Sequence, residues 1–135
     1  MILVADSGST KTEWITDKLT VTTNGINPVR DSKEEISRIL STELMPLLYA
    51  NQIVPESITE IHFYGAGCIE PFSASVSNAL KQLFSLAKIN VYTDLLGAAR
   101  ALCGRAEGIA CILGTGSNSC YCKDGAIYYK KVATY

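Results

Sequence analysis

Residues 5–14 read ADSGSTKTEW. The run that leads into them, Ile2 to Ala5, predicts a short buried strand that breaks at Asp6. Beyond them, Thr12–Thr16 and Leu19–Thr23 alternate β-branched with other residues on either side of Asp17-Lys18, which predicts a hairpin. Between the strands stand an acid, a glycine, hydroxyls and a lysine. That mixture suits a tight surface turn, and it equally suits a loop that wraps a phosphate, so the rest of the chain has to decide.

Working outward, NGINPVRDS (24–32) has no periodicity and reads as loop. Ser32 followed three positions on by Glu35 is a capping box, opening a helix with the apolar stripe Ile36, Ile39, Leu40, Leu44 and Leu47. Pro46 should kink this helix or end it early. EIHFYGAG (60–67) is a strand ending in glycines, and Pro71 suits the first turn of a helix that sets Val76, Leu80, Leu83, Phe84 and Ala87 on one face. INVYTD (89–94) is a further strand, followed by an Ala/Leu helix that stops at Gly104. GIACILGTGSNSCYCKDGAIYYKKV (108–132) reads as strand, glycine turn, strand, Asp-Gly turn, strand. The order β-β-β-α-β-α-β-α, then β-β-β, describes an α/β layer with a mixed sheet over 1–107 and the start of a second, similar layer over 108–135.

The totals narrow the function. With 135 residues, 47% of them hydrophobic and 19% charged, the chain can bury a core and is not a disordered segment. A formal charge of −1 without a Lys/Arg run gives no electrostatic case for nucleic acid or an anionic membrane. No stretch is long and apolar enough to span a bilayer, and the N-terminus lacks a secretory pattern, so a cytoplasmic setting is expected. The five cysteines, Cys68, Cys103, Cys111, Cys120 and Cys122, fit buried free thiols better than a metal or redox site. Cys120 and Cys122 alternate as on a strand, with both sulfurs on one face, but the single histidine, His62, stands in a separate strand. One histidine also leaves little room for a Ser-His-Asp triad. Trp14, Tyr128 and Tyr129 read as strand packing residues.

DSGSTKT (6–12) has a counterpart in LGTGSNS (113–119). Each joins two strands and combines glycine with hydroxyls. Glycine lets the backbone take positive φ and approach a ligand closely, so that several N–H groups can point at one cluster of oxygens. Lys11 can add positive charge, and Asp6 a hard oxygen for hydrated Mg²⁺. A Walker loop is excluded because Thr10, not glycine, precedes Lys11 and a strand follows. A dinucleotide fingerprint is excluded because Glu70 stands where GAG (65–67) would need a third glycine. Either turn alone reads as a plain hairpin turn. Together they favour phosphate binding.

At this point the chain resembles a family. Paired hairpin phosphate loops on duplicated α/β lobes mark the superfamily of actin, hexokinase and the sugar kinases, with its ribonuclease H-like lobes. Within it, ADSGSTKT, NGINP, YGAGC, TDLLGAARAL and ILGTGSNS resemble the N-acetylglucosamine kinase-like branch of the BadF/BadG/BcrA/BcrD-type ATPases. The resemblance implies ATP-dependent phosphoryl transfer to N-acetylglucosamine or a related amino sugar, with ATP and Mg²⁺ as cofactors. It implies Asp94 as catalytic base and sugar ligand, with Asn27 and Gly67 also on the sugar. It places Asp6, Gly8, Thr10, Lys11, Gly114, Thr115, Gly116 and Ser117 on the nucleotide, Asp6 holding Mg²⁺ through water. Each role has a plainer rival: Asp94 as a helix cap, Asn27 as a pre-proline turn residue, Asp6 as a turn-forming acid, Lys11 as a solvated cation.

Similar kinases continue to a glycine-rich sugar-binding segment and an adenosine-binding region, neither of which is present in this sequence. The chain alone is therefore expected to be inactive, and the strand run over 109–135, with no helices to cover it, is expected to pair with a homodimer partner or a C-terminal half. Two rivals to the kinase remain. One is an activator-type ATPase of acyl-CoA reductases or dehydratases, which would need cysteines placed to hold an iron–sulfur cluster. The other is a catalytically incompetent nucleotide- or sugar-binding fragment.

Overall fold

A computed structural model describes the backbone of residues 1–106, 108–113 and 116–134, and side chains over 1–106 and 124–127. The chain packs as two units, Met1–Thr93 and Asp94–Tyr135.

The first unit is built on a mixed five-stranded sheet in the order β3-β2-β1-β4-β5. Its strands are β1 (Ile2–Ser7), β2 (Lys11–Ile15), β3 (Thr20–Asn24), β4 (Glu60–Gly65) and β5 (Lys88–Thr93). The expected hairpin is present, β2 running antiparallel to both β1 and β3, while β1, β4 and β5 run parallel. Alternation decides the faces. Leu3, Ala5 and Ser7 of β1, Thr12 and Trp14 of β2, and Ile61 and Phe63 of β4 are all buried, whereas Ile2, Asp6 and Lys11 are exposed. Trp14 packs at 5.7 Å on Phe63 and donates its indole N–H to Thr23 Oγ1 at 2.9 Å, so the large aromatic is buried with its polar atom satisfied. His62 lies half-buried on the opposite face, 2.9 Å from Glu60 Oε1 and stacked on Tyr92.

The buried face is covered by helical segments. Ser32 caps α1 (Lys33–Ile39), its Oγ accepting from Glu35 N–H at 3.1 Å, while the Glu35 carboxylate turns instead to Arg38. Pro46 neither ends nor breaks the helix. A π-helical turn over Leu40–Leu44 leads into α2 (Met45–Ala50), and Met45 N–H bonds to Leu40 O, five residues back. The wide turn accommodates the proline ring and its missing N–H. It also adds a residue to the turn, so the buried face moves on by one: Leu48 is buried, and Leu47, expected there, is only half-buried. The helix α3 (Ser73–Leu83) starts two residues after Pro71, which follows a cis peptide bond rather than standing in the helix's first turn. Val76, Ala79 and Leu80 enter the same core, and Leu83 packs at its margin.

The second unit contains α4 (Asp94–Cys103) and an antiparallel sheet of β6 (Gly108–Leu113), β7 (Gly116–Lys123) and β8 (Ala126–Thr134), in that order. Asp124 and Gly125, both at positive φ, make the expected two-residue turn. The expectation of a strand run without helical cover is corrected. Helix α4 packs across all three strands, with Leu95 and Ala99 buried beside Cys103 and Ile127. Among the described residues no helix is long and apolar enough to cross a membrane.

The shifted helix face is testable. Leu48→Ala should cost about 2–5 kcal/mol in urea unfolding, and Leu47→Ala clearly less. Equal losses would show that the wide turn does not reset the face.

Candidate functional site

In open α/β sheets, ligands bind outside the carboxyl ends of the strands, where connections leave in opposite directions. Here that point lies between β1, which turns back into β2, and its parallel neighbour β4. The two strand ends are joined by Ala66 N–H donating to Ser7 O at 2.9 Å. Three segments therefore meet at one end of the first unit: the 8–10 turn, the loop after β3, and the glycines after β4.

The turn is closed by Gly8 N–H on Lys11 O at 2.9 Å. Ser9 and Thr10 are exposed, and neither their N–H groups nor their hydroxyls have a hydrogen-bond partner among the described residues. That leaves a cluster of neutral donors facing outward. Below them the polar groups are fully engaged. Ser7 Oγ, wholly buried, lies 2.7 Å from Thr12 Oγ1, accepts from Ile26 N–H at 3.0 Å and lies 3.0 Å from Ile26 O. Thr12 Oγ1 also reaches Asn24 O at 3.0 Å.

The glycine on which the packing of this corner depends is Gly25. Gly8 is outside the left-handed region, and a Cβ there would meet only Lys11 O at 3.8 Å. At Gly25 a Cβ would collide with the backbone of Gly8 and Ser9, so the loop after β3 lies directly against the turn, held by Gly25 N–H on Thr10 O at 3.1 Å.

Asn27 follows at once. Its Oδ1 accepts from Val29 N–H at 3.0 Å, an Asx turn, while Nδ2 has no partner among the described residues. The plain turn role and a ligand-binding role thus fall on opposite ends of one amide. Gly67, at φ +73, lies against Asn27 Oδ1, where a Cβ would collide. Gly65 is buried against Phe63 and Cys68, and Cys68 is itself buried and in no disulfide.

Asp6 ends up exposed, paired in register with Glu13 of β2 and without an ion-pair or hydrogen-bond partner among the described residues. An exposed carboxylate beside outward donors, with Glu13 opposite it on the neighbouring strand, fits a cation that keeps its own water shell, as Mg²⁺ does. Lys11 is exposed too, with its Nζ 3.1 Å from Glu13 Oε1, a surface pair weak enough to exchange for another anion. In the second unit Asp94 is the first residue of α4 and accepts from its neighbour Leu95 N–H at 2.9 Å, so it has a helix-start role whatever else it does. Gly116 and Ser117 open β7, Ser117 in register with Leu113, and Gly114 and Thr115 lie outside the described residues.

Two residues of the corner had no sequence signal beyond ordinary loop charge: Arg30 and Asp31. Arg30 reaches Ser9 O and Gly25 O, and Asp31 accepts from Asn27 N–H. The hydrogen bonds from Arg30, then that from Asn27 N–H, and the arginine's positive charge hold the Asp31 carboxyl below its usual range against the opposing effect of burial. A lowered folded value contributes stability that is complete above about pH 4, the unfolded value, and is lost as pH falls through the folded one. Asp31→Asn should therefore melt below the unsubstituted chain by a constant margin from neutral pH down to about pH 5. The margin should close in stronger acid, and a margin independent of pH would contradict the ion pair.

No family model and no curated protein matches the chain. Solved structures do. A Porphyromonas gingivalis protein named "Putative N-acetylglucosamine Kinase" is 43% identical and superimposes with a TM-score of 0.89 over 97% of this chain. The chain spans about half, 47%, of that protein's length. A non-polymerising MamK mutant bound to AMPPNP matches at 12% identity and a TM-score of 0.61, over 99% of this chain and 54% of its own. YeaZ from Pseudomonas aeruginosa matches at 14% identity and 0.54, over 98% and 67%. Over nearly its whole length the chain has the actin-like ATPase fold of these neighbours, and it is similar in sequence to the Porphyromonas gingivalis protein.

Proposed function

We propose that this chain carries the first phosphate-binding turn and the sugar-binding loop of an ATP-dependent kinase acting on N-acetylglucosamine or a related amino sugar. The observation that carries this is the corner where a turn with outward Ser9 and Thr10 donors lies against the loop bearing Asn27 Nδ2. The 43% identity to a protein named as such a kinase supports the substrate class.

Phosphoryl transfer is mostly positioning and charge stabilisation. In this proposal Asn27 Nδ2 donates to a sugar hydroxyl, and the tight approach at Gly67 keeps the amide in place. Asp94 takes the proton of the attacking hydroxyl as its oxygen bonds to the γ-phosphorus and the bond to ADP breaks. Gly8, Thr10 and Lys11 from the first turn hold the phosphates, with Gly114, Thr115, Gly116 and Ser117 supplying the second. Asp6 would hold Mg²⁺ through water, and the ion would supply positive charge against the phosphates. The activator-type alternative is weakened because Cys68 is buried beneath Gly65, a poor place for a ligand to a cluster shared between subunits. ATP as co-substrate and the buried thiol of Cys68 both suit a cytoplasmic setting.

ADP release by the full-length product of the gene, measured over a sugar panel, should depend on an amino sugar. Asp94→Asn should lower kcat by about 10²–10⁴-fold, the usual worth of a positioned base, with an unchanged melting temperature. ATP turnover indifferent to every sugar would overturn the proposal.

A further inference from the structure

We propose that Arg30 and Asp31 form a positioning clamp that holds the phosphate-binding turn and Asn27 in one fixed geometry, so that Arg30 serves transfer without touching either substrate. This rests on the kinase function proposed above.

The guanidinium is a planar fork of N–H donors. One side grips Asp31 twice, Nε on Oδ1 at 2.9 Å and Nη2 on Oδ2 at 3.0 Å. The rest grips carbonyls of two different segments, Nη1 on Ser9 O at 2.7 Å and Nη2 on Gly25 O at 3.2 Å. Asp31 passes the restraint on, since its Oδ2 accepts from Asn27 N–H at 2.9 Å. Arg30 and Asp31 N–H also bond to Asn27 O, at 3.0 and 2.7 Å. The backbone of Asn27 is thus held at both its N–H and its C=O by these two residues.

The grip on Ser9 O has a second effect. A peptide unit is planar and its C=O and N–H point in opposite directions. Fixing Ser9 C=O therefore fixes the aim of Thr10 N–H, one of the outward donors of the turn. The core already joins these segments through Ser7, Thr12 and Gly25, so the arginine is not required simply to bring them together. Arg30 is about half exposed, at the rim of the corner and not in its packed base. A lysine could supply the charge there but could not hold two carbonyls and a carboxylate in one plane.

The test is steady-state kinetics of the full-length protein, varying amino sugar and MgATP, for Arg30→Gln and Arg30→Lys, with melting curves and amide exchange at Asn27. We expect both variants to lower kcat by about 10- to 100-fold, the usual cost of ångström-scale misplacement. KM should rise for both substrates, Asn27 N–H, which donates to Asp31, should exchange faster, and the melting temperature should fall by about as much as in Asp31→Asn. Where Arg30→Gln does not fold, Arg30→Lys is read in the same way. Variants that melt lower yet keep kcat and both KM values would overturn the clamp alone. An unsubstituted protein that phosphorylates no sugar would overturn the kinase function and, with it, the positioning role.

Discussion

The first unit depends on a contact that only backbone can make. Gly25 lies against the main chain of Gly8 and Ser9 so closely that a single added methyl group would collide with both. Just beneath it, Ser7 and Thr12 are buried polar groups that would destabilise the fold if left unpaired, and each is satisfied by the other and by the loop at Asn24–Ile26. The loop after β3 is thereby drawn across the carboxyl end of the sheet. Asn27 and the donors of the 8–10 turn then share one corner as a consequence of packing, before any ligand is considered.

That constraint explains which parts of the molecule could be read from the sequence. Alternation marked β1, β2 and β4 because one face of each is buried and the other is not, and the Ser32 cap was visible because capping is local. The displaced helix face was not visible. It arises from the π-helical turn before Pro46, which shifts burial from Leu47 to Leu48 and follows from how the helix meets the sheet. The start of α3 after Pro71, and the packing of α4 on the second sheet, are likewise outcomes of tertiary contact.

The candidate site was legible in a similar, partial way. Composition singled out the 6–12 turn and Asn27, since glycine, hydroxyls and a side-chain amide are unusual enough together to suggest a ligand. It gave no sign of the close backbone contact at Gly25, which meets the neighbouring segment. It passed over Arg30 and Asp31, because an Arg-Asp pair in a loop looks like solvated charge until the distances show it spanning two segments. Asp94 illustrates the opposite limit. Its place at the start of α4 suits a helix terminus and a catalytic base alike.

The most direct test of the corner as a sugar site is a ¹H–¹⁵N titration of the chain with N-acetylglucosamine, following every assigned amide. Shifts concentrated at the Asn27 side-chain amide, its neighbours in the loop after β3 and residues 65–69 are the result this structure predicts. Saturable shifts confined to other surfaces, with the Asn27 amide unmoved, would contradict it.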